Sequence, residues 1–185
     1  MRQSRLFPKT QKEAPKDEVA LNAKLLARAG FVDKLMAGVY TFLPLGFRVL
    51  KKIEDIVREE MVKAGGQEIL MPVLQPKENW QKTGRWETMS DLYKIKDMSE
   101  REFALGPTHE EVIFPLLKKT IFSYKDLPLY VFQIQNKFRM ELRAKSGLLR
   151  GREFMMKDFY SFHADEKDRD GYYETMTDVY KIIFS

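Results

Sequence analysis

Residues 130–141 read YVFQIQNKFRME and alternate. Tyr130, Phe132, Ile134, Phe138 and Met140 share one parity. Val131, Gln133, Gln135, Lys137, Arg139 and Glu141 share the other. A period of two predicts a strand with one apolar and one solvated face. A break follows over 142–149, carrying Arg143, Lys145, Ser146 and Gly147, and a second extended run, RGREFMMKDFYSF, spans 150–162. In that run Arg150, Arg152, Phe154, Met156, Asp158 and Tyr160 lie on one side. Folded back as an antiparallel hairpin, the two runs build a shared surface bearing Arg139, Arg150, Arg152, Glu141 and Phe154. Guanidinium forks match phosphate oxygens in two-point geometry. An aromatic ring can stack on a base, and a carboxylate can accept from an exocyclic amine. The surface therefore suits a nucleotide, although alternation alone is met equally well by a solvated, salt-bridged face.

The remainder of the chain supplies helices and further strands around this hairpin. Residues 1–15, with Pro8 and Pro15, read as an extended arm. Asp17 suits the N-cap of a helix that runs to Ala29 and stops at Gly30. Residues 38–42 are β-rich and end before Pro44. Over 45–64, Val49, Ile53, Val57, Met61 and Ala64 step by three or four, with Leu50 and Ile56 widening the stripe, as in an amphipathic helix. Gly65-Gly66 ends it, and a strand over 67–71 leads to Pro72. Pro76 opens a short helix that Gly84 closes. Two strands, 92–96 and 102–105, flank a turn at 97–100 and deliver the chain to GPTHEE at 106–111. There Thr108 and Glu111 have capping-box spacing for the next helix, which leaves Glu110 free to point elsewhere. Pro115 is expected to shorten or kink that helix, whose remainder is expected to extend through 118–124. Asp165 suits the N-cap of a last helix striped by Tyr172, Met176, Val179 and Ile183. These letters lay out strands and helices in mixed succession around the antiparallel hairpin.

Composition narrows the chemistry. The chain has 185 residues with no cysteine, which excludes disulfides and thiolate zinc sites, and its two histidines argue against a protein-held transition metal. A net charge of +5 is compatible with a polyanionic partner, but a lysine-rich solvated surface gives the same value. The first residues, MRQSRLFPKTQKEAP, lack the apolar core of a signal peptide, and no run is long enough to span a bilayer. The default expectation is a cytoplasmic protein with no membrane partner.

The pattern Phe138-Arg139-x-Glu141, loop, Arg150-x-x-x-Phe154-x-x-x-Asp158 resembles motif 2 of the class II aminoacyl-tRNA synthetases. The surrounding letters, QIQNKFRMELR and GLLRGREFMMKDFYSFH, are similar to those of bacterial-type prolyl-tRNA synthetases. Residues 45–72 resemble motif 1, a long helix, strand and proline that make the family's dimer contact. GVYTFLPLG at 38–46 resembles the segment just before it.

The resemblance implies an α+β fold, an antiparallel sheet flanked by helices and truncated before motif 3: a partial class II catalytic domain over 16–185, with motif 1 at about 45–72 and motif 2 at about 130–163. It implies ATP-dependent activation of proline to prolyl-adenylate and transfer to tRNA(Pro) by a homodimer. Carried over residue by residue, Arg139 is the catalytic group and bridges the α-phosphate and the proline carboxylate. Glu141 receives the adenine amino group, Arg150 reaches the terminal phosphates, and Phe154 stacks on adenine. Arg152 serves the phosphates or pairs with Glu153 or Asp158. Thr108 and Glu110 hold the secondary ammonium of proline, with Met156 and Tyr160 as candidate pocket walls. Loop residues Arg143, Lys145 and Ser146 are candidates to meet the tRNA acceptor end, and His163 is expected to be structural. Nothing after His163 resembles the third motif. The chain is therefore expected to be incomplete as a catalyst, with a sheet edge left open and Mg2+ ligands lying outside it. Other readings are a threonyl or different class II enzyme, and a non-catalytic synthetase-like module that binds nucleotide or dimerises.

Overall fold

In the computed structural model, which describes residues 2–16 and 18–185, one 3-10 turn (Gln3–Arg5) precedes the first helix, α1 (Leu21–Arg28). Ala20 occupies its N-cap without a side-chain hydrogen bond. The cap expected from Asp17 lies outside the described residues. A ribbon of β1 (Val32–Met36) and β2 (Val39–Phe42) follows, paired antiparallel. Pro44 then starts α2 (Pro44–Lys63) in its first turn, where proline costs no hydrogen bond.

The apolar stripe of α2 is largely solvent-facing. Val49, Ile53 and Ile56 are 46–53% exposed, and only Gly46, Glu54 and Met61 are buried. The strand expected over 67–71 is confined to β3 (Gln67–Glu68). Next come β4 (Leu74–Pro76), α3 (Lys77–Lys82), α4 (Arg85–Thr88), β5 (Tyr93–Lys96) and β6 (Glu102–Leu105). These strands form a second sheet in the order β4-β6-β5, with both pairings antiparallel.

Helix α5 (Glu110–Leu117) is two turns long and contains Pro115. Proline has no N–H, so the Glu111 carbonyl four residues earlier loses its helical donor. The Asn79 side chain supplies one at 2.9 Å. The helix does not reach 124 as expected. Ser123 instead caps a separate 3-10 turn, Tyr124–Asp126.

The central hairpin then forms from β7 (Leu129–Phe138) and β8 (Glu153–Phe162), in register from Leu129 opposite Phe162 to Phe138 opposite Glu153. The last helix, α6 (Glu166–Ile183), starts at Asp165, whose carboxylate accepts from the Asp168 N–H. The fold is α+β, and one pairing departs from the antiparallel expectation: β3 runs parallel to β7. Helices α3, α4 and α5 and the whole second sheet intervene between them, long enough a crossover for the chain to return in the same direction. The outer edge of β8 carries no strand among the described residues.

Two apolar clusters hold these layers. Met71, Ile113, Leu117 and Val131 pack between α5 and the hairpin, while Trp80, Trp86, Leu92 and Ala104 fill the space between the second sheet and its helices. On α6, Tyr172 stacks on Tyr130 of the hairpin at 4.0 Å and donates to the Ala64 carbonyl at the end of α2.

The face of β7 expected to be wet is buried for much of its length. Gln133 and Lys137 are fully buried and Val131 nearly so. Segment 69–72 covers that face, and the glutamines substitute for a neighbouring strand. Gln133 Oε1 accepts from the Met71 N–H at 3.0 Å, and Gln135 Nε2 donates to the Met71 carbonyl at 3.2 Å.

Candidate active site

Hairpin register puts Lys137 opposite Phe154, Gln135 opposite Met156, Gln133 opposite Asp158 and Val131 opposite Tyr160. Their side chains therefore share one face. Where β7 ends, the Phe138 N–H donates to the Gly106 carbonyl, and the Gly106 N–H donates to the Val73 carbonyl. These two bonds bring the turn at 106–109 against the end of the hairpin.

Arg139 leaves β7 toward that turn. Its guanidinium carbon lies 5.5 Å from the Phe154 ring centroid, and Nη2 reaches the Pro107 carbonyl at 3.4 Å. Its Nε is buried with no partner. Arg139, Phe154 and the root of Thr108 are thus brought together. Thr108 donates its hydroxyl to Glu110, and Arg85 Nη1 stands 3.6 Å from the same carboxylate. The capping box expected of Thr108 and Glu111 is absent. His109 is the N-cap, without a side-chain cap bond, and the buried Glu111 carboxylate accepts instead from Thr83 and Arg85. Arg85 lies near enough to outcompete a backbone amide, since a guanidinium forms the stronger, charge-assisted bond.

Glu141 and Arg150 are close together and paired. Both Nε and Nη2 of Arg150 lie 2.9 Å from Glu141 Oε2. Arg152 pairs with neither Glu153 nor Asp158. It donates to the backbone carbonyls of Glu141 (3.0 Å) and Ala37 (3.3 Å), clasping the root of the loop to the β1–β2 turn. The loop is held from its other side as well, because Asn22 on α1 donates to the Ser146 carbonyl at 2.9 Å. Met156 is half-buried on the shared face, and Tyr160 joins the turn directly by accepting the His109 N–H at 3.2 Å. His163 sits against Tyr130 and Tyr172, with Nδ1 2.7 Å from Asp168.

Beneath Thr108 and Glu110 lies a polar group made of buried His109 and Lys137 with partly buried Asp158 and Tyr160. Residue reading alone did not single out His109 or Lys137. The parity of Lys137 with Gln133, and a histidine placed between Thr108 and Glu110, were the available signals. Lys137 Nζ lies 2.9 Å from Asp158 Oδ1 and 2.5 Å from His109 Nδ1. Burial, then the Lys137 charge, lower the His109 pKa to about 4. Burial also lowers Lys137, against the attraction of Asp158, and burial followed by the Asp158 hydrogen bond raises Tyr160.

The sign of the pH effect follows. His109 takes up its proton near pH 6.5 when unfolded and near 4 when folded, so its contribution is complete above 6.5 and is lost as pH falls toward 4. Urea titrations should show stability declining on the order of 3 kcal/mol across that window. The decline should begin while the carboxylates are still ionised, and His109→Gln should flatten it.

Among the described residues no group of three or more His, Asp or Glu side chains is arranged to hold a metal ion. Nor, among the described residues, is any helix long and apolar enough to cross a membrane.

Comparison with known proteins gives the family and the fold. The family model described as tRNA synthetase class II core domain (G, H, P, S and T) matches residues 93–185. The chain belongs to that family. Within it, the chain is 53% identical over 185 residues to the proline–tRNA ligase of Syntrophomonas wolfei and 52% identical to that of Pelotomaculum thermopropionicum. In both cases all of this chain is covered, but only 32% of the relative, so the chain spans about a third of their length. A solved structure of Giardia lamblia prolyl-tRNA synthetase in complex with prolyl-adenylate superposes with a TM-score of 0.81 at 28% identity, covering 87% of this chain and 34% of that one. The Cryptosporidium parvum prolyl-tRNA synthetase complexed with L-proline and AMP, at 20% identity, shares the fold with a TM-score of 0.72 over 85% of this chain and 31% of that one.

Proposed function

We propose that these residues form the proline- and ATP-binding part of a proline–tRNA ligase, which joins proline to tRNA(Pro) through prolyl-adenylate. In the first step the proline carboxylate attacks the α-phosphorus of ATP and pyrophosphate leaves. In the second, the terminal ribose hydroxyl of the tRNA takes the prolyl group and AMP leaves. The first step needs no protein nucleophile, only alignment and compensation of charge.

The observation that carries this reading is the place of Arg139. Its guanidinium sits between the Phe154 ring and the Pro107 carbonyl with Nε buried and unpartnered. A buried, unsatisfied cationic donor calls for an anion, and the α-phosphate with the proline carboxylate supplies one. Phe154 then stacks on adenine and Glu141 accepts its amino group. Arg150 turns from Glu141 to the terminal phosphates. Thr108 and Glu110 exchange their mutual hydrogen bond for the two N–H donors of the proline ammonium, with Tyr160 and Met156 as walls. Arg152, already engaged with two carbonyls, holds the loop and does not serve the phosphates. Mg2+ accompanies ATP on ligands outside these residues. Loop residues Arg143, Lys145 and Ser146 face the tRNA end. The exposed apolar side of α2 supports a homodimer contact, and we assign the protein to the cytoplasm.

Calorimetry with the non-hydrolysable prolyl-sulfamoyl adenosine tests the reading on the 185-residue chain. The expected result is saturable one-to-one binding, with the threonyl counterpart at least tenfold weaker. Equal binding of the two, or none of the prolyl compound, would overturn it.

A further inference from the structure

We infer that Lys137 is a positioning residue for the amino-acid end of the site: its buried ammonium bridges Asp158 and His109 and thereby fixes the turn that presents Thr108 and Glu110. The inference rests on the reading of Thr108 and Glu110 given above.

The contacts close into a ring. Lys137 Nζ meets His109 Nδ1 and Asp158 Oδ1. The Tyr160 hydroxyl donates to Asp158 Oδ2 at 2.8 Å and accepts the His109 N–H at 3.2 Å. Gln133 Nε2 donates to Asp158 Oδ2 as well, at 3.0 Å. The proton positions on His109 are determined by its neighbours. Nε2 lies 3.1 Å from the Pro72 carbonyl, which can only accept, so Nε2 carries the proton and Nδ1 receives one from Lys137. Every group of the ring thus has one arrangement, and the ring's only backbone member is residue 109, between Thr108 and Glu110. Gln75 adds a second hold by donating to the Thr108 carbonyl at 3.0 Å.

A lysine is an odd choice for a fully buried site. A buried ion pair is weak evidence of stabilisation, and apolar replacements of whole pairs are often neutral. What an apolar side chain cannot do is orient the histidine ring and the carboxylate together. The charged and titratable groups facing the ring are Glu110, Arg139 and Asp158 itself. Of these, Glu110 and Asp158 favour a protonated His109 and the Lys137 charge opposes it.

His109 and His163 are the chain's two histidines, so their side-chain nitrogens can be followed by 15N correlation spectra, with His163 as internal reference. In the unaltered chain His109 should remain the Nε2–H tautomer from pH 5 to 8. Lys137→Met alone strands the Asp158 charge, a change that can unfold the chain, so the informative variant is Lys137→Met with Asp158→Asn, which removes both charges. It should hold its fold by circular dichroism, let His109 titrate within that range, and weaken prolyl-sulfamoyl adenosine at least tenfold with AMP affinity unchanged. Lys137→Arg should restore most of the affinity. Analogue binding within twofold of the unaltered chain, or equal loss of AMP and analogue, overturns the positioning role. Should the unaltered chain fail to bind the analogue, the functional reading falls. The ring is then judged by the His109 spectrum alone, and a tautomer and titration indifferent to the double substitution sink it.

Discussion

Arg139→Ala is expected to abolish measurable binding of prolyl-sulfamoyl adenosine to this chain. In a complete ligase carrying the same change it should stop adenylate formation. The guanidinium is placed between the aromatic ring and the turn, and its Nε is left without a partner. Losing a charge-assisted, two-point contact that strengthens as charge shifts in the transition state costs on the order of 3 kcal/mol or more, a factor above one hundred in rate. The fold should be nearly indifferent, because the only protein hydrogen bond given up is a long one, 3.4 Å to the Pro107 carbonyl. A melting curve close to that of the unaltered chain should therefore accompany the loss. Pyrophosphate exchange within tenfold of the unaltered enzyme would falsify the role.

Gly46→Ala should produce the larger structural effect. A Cβ at Gly46 would stand 2.0 Å from the Phe31 carbonyl oxygen and 2.8 Å from its carbonyl carbon. These are backbone atoms, and they cannot swing aside. Phe31 is fixed by its own N–H, which donates to the Leu26 carbonyl, and by its oxygen, which accepts from the Leu43 N–H. The first turn of α2 must then lift from the link between α1 and β1, at a cost of about 3 kcal/mol. Urea titration reads this directly. Gly84→Ala is the contrast: φ is +71° there, but nothing lies within 4 Å of the added carbon, so only the left-handed strain of about 1 kcal/mol applies. Equal losses in the two variants would show that the close approach at Gly46 is unimportant.

The hairpin could be read from the letters because its information is local. Alternation in 130–141 and 150–162 sets both strands, and together they set the face. The second sheet was legible for the same reason, as the turn at 97–100 sits between two short extended runs. What escaped depends on partners remote in sequence. Gln133 and Lys137 look like solvent-facing residues until segment 69–72 and His109 arrive to cover them. A two-residue strand such as β3 carries no period at all, and its parallel pairing with β7 is decided by everything between them. Thr108 and Glu111 spell a cap, but Arg85, twenty-odd positions upstream, draws the carboxylate away. A still longer separation, 32 residues, hides the function of Asn79, which supplies the donor that Pro115 takes from the Glu111 carbonyl. In the candidate site, residue types and spacing pointed to Arg139, Glu141, Arg150 and Phe154. They could not tell that Arg152 would spend itself on the backbone.

That last contact ties two parts of the chain into a single mechanical piece. Gly38 holds φ at +77° and offers its carbonyl to the Arg152 N–H at 2.7 Å, while the Arg152 guanidinium grips Ala37 next to it. A displacement of the β1–β2 ribbon, on which the start of α2 rests, is therefore carried straight to the base of the loop. Whatever leans on the outer face of that long helix leans, at one remove, on the loop that carries the root of the proposed ATP site.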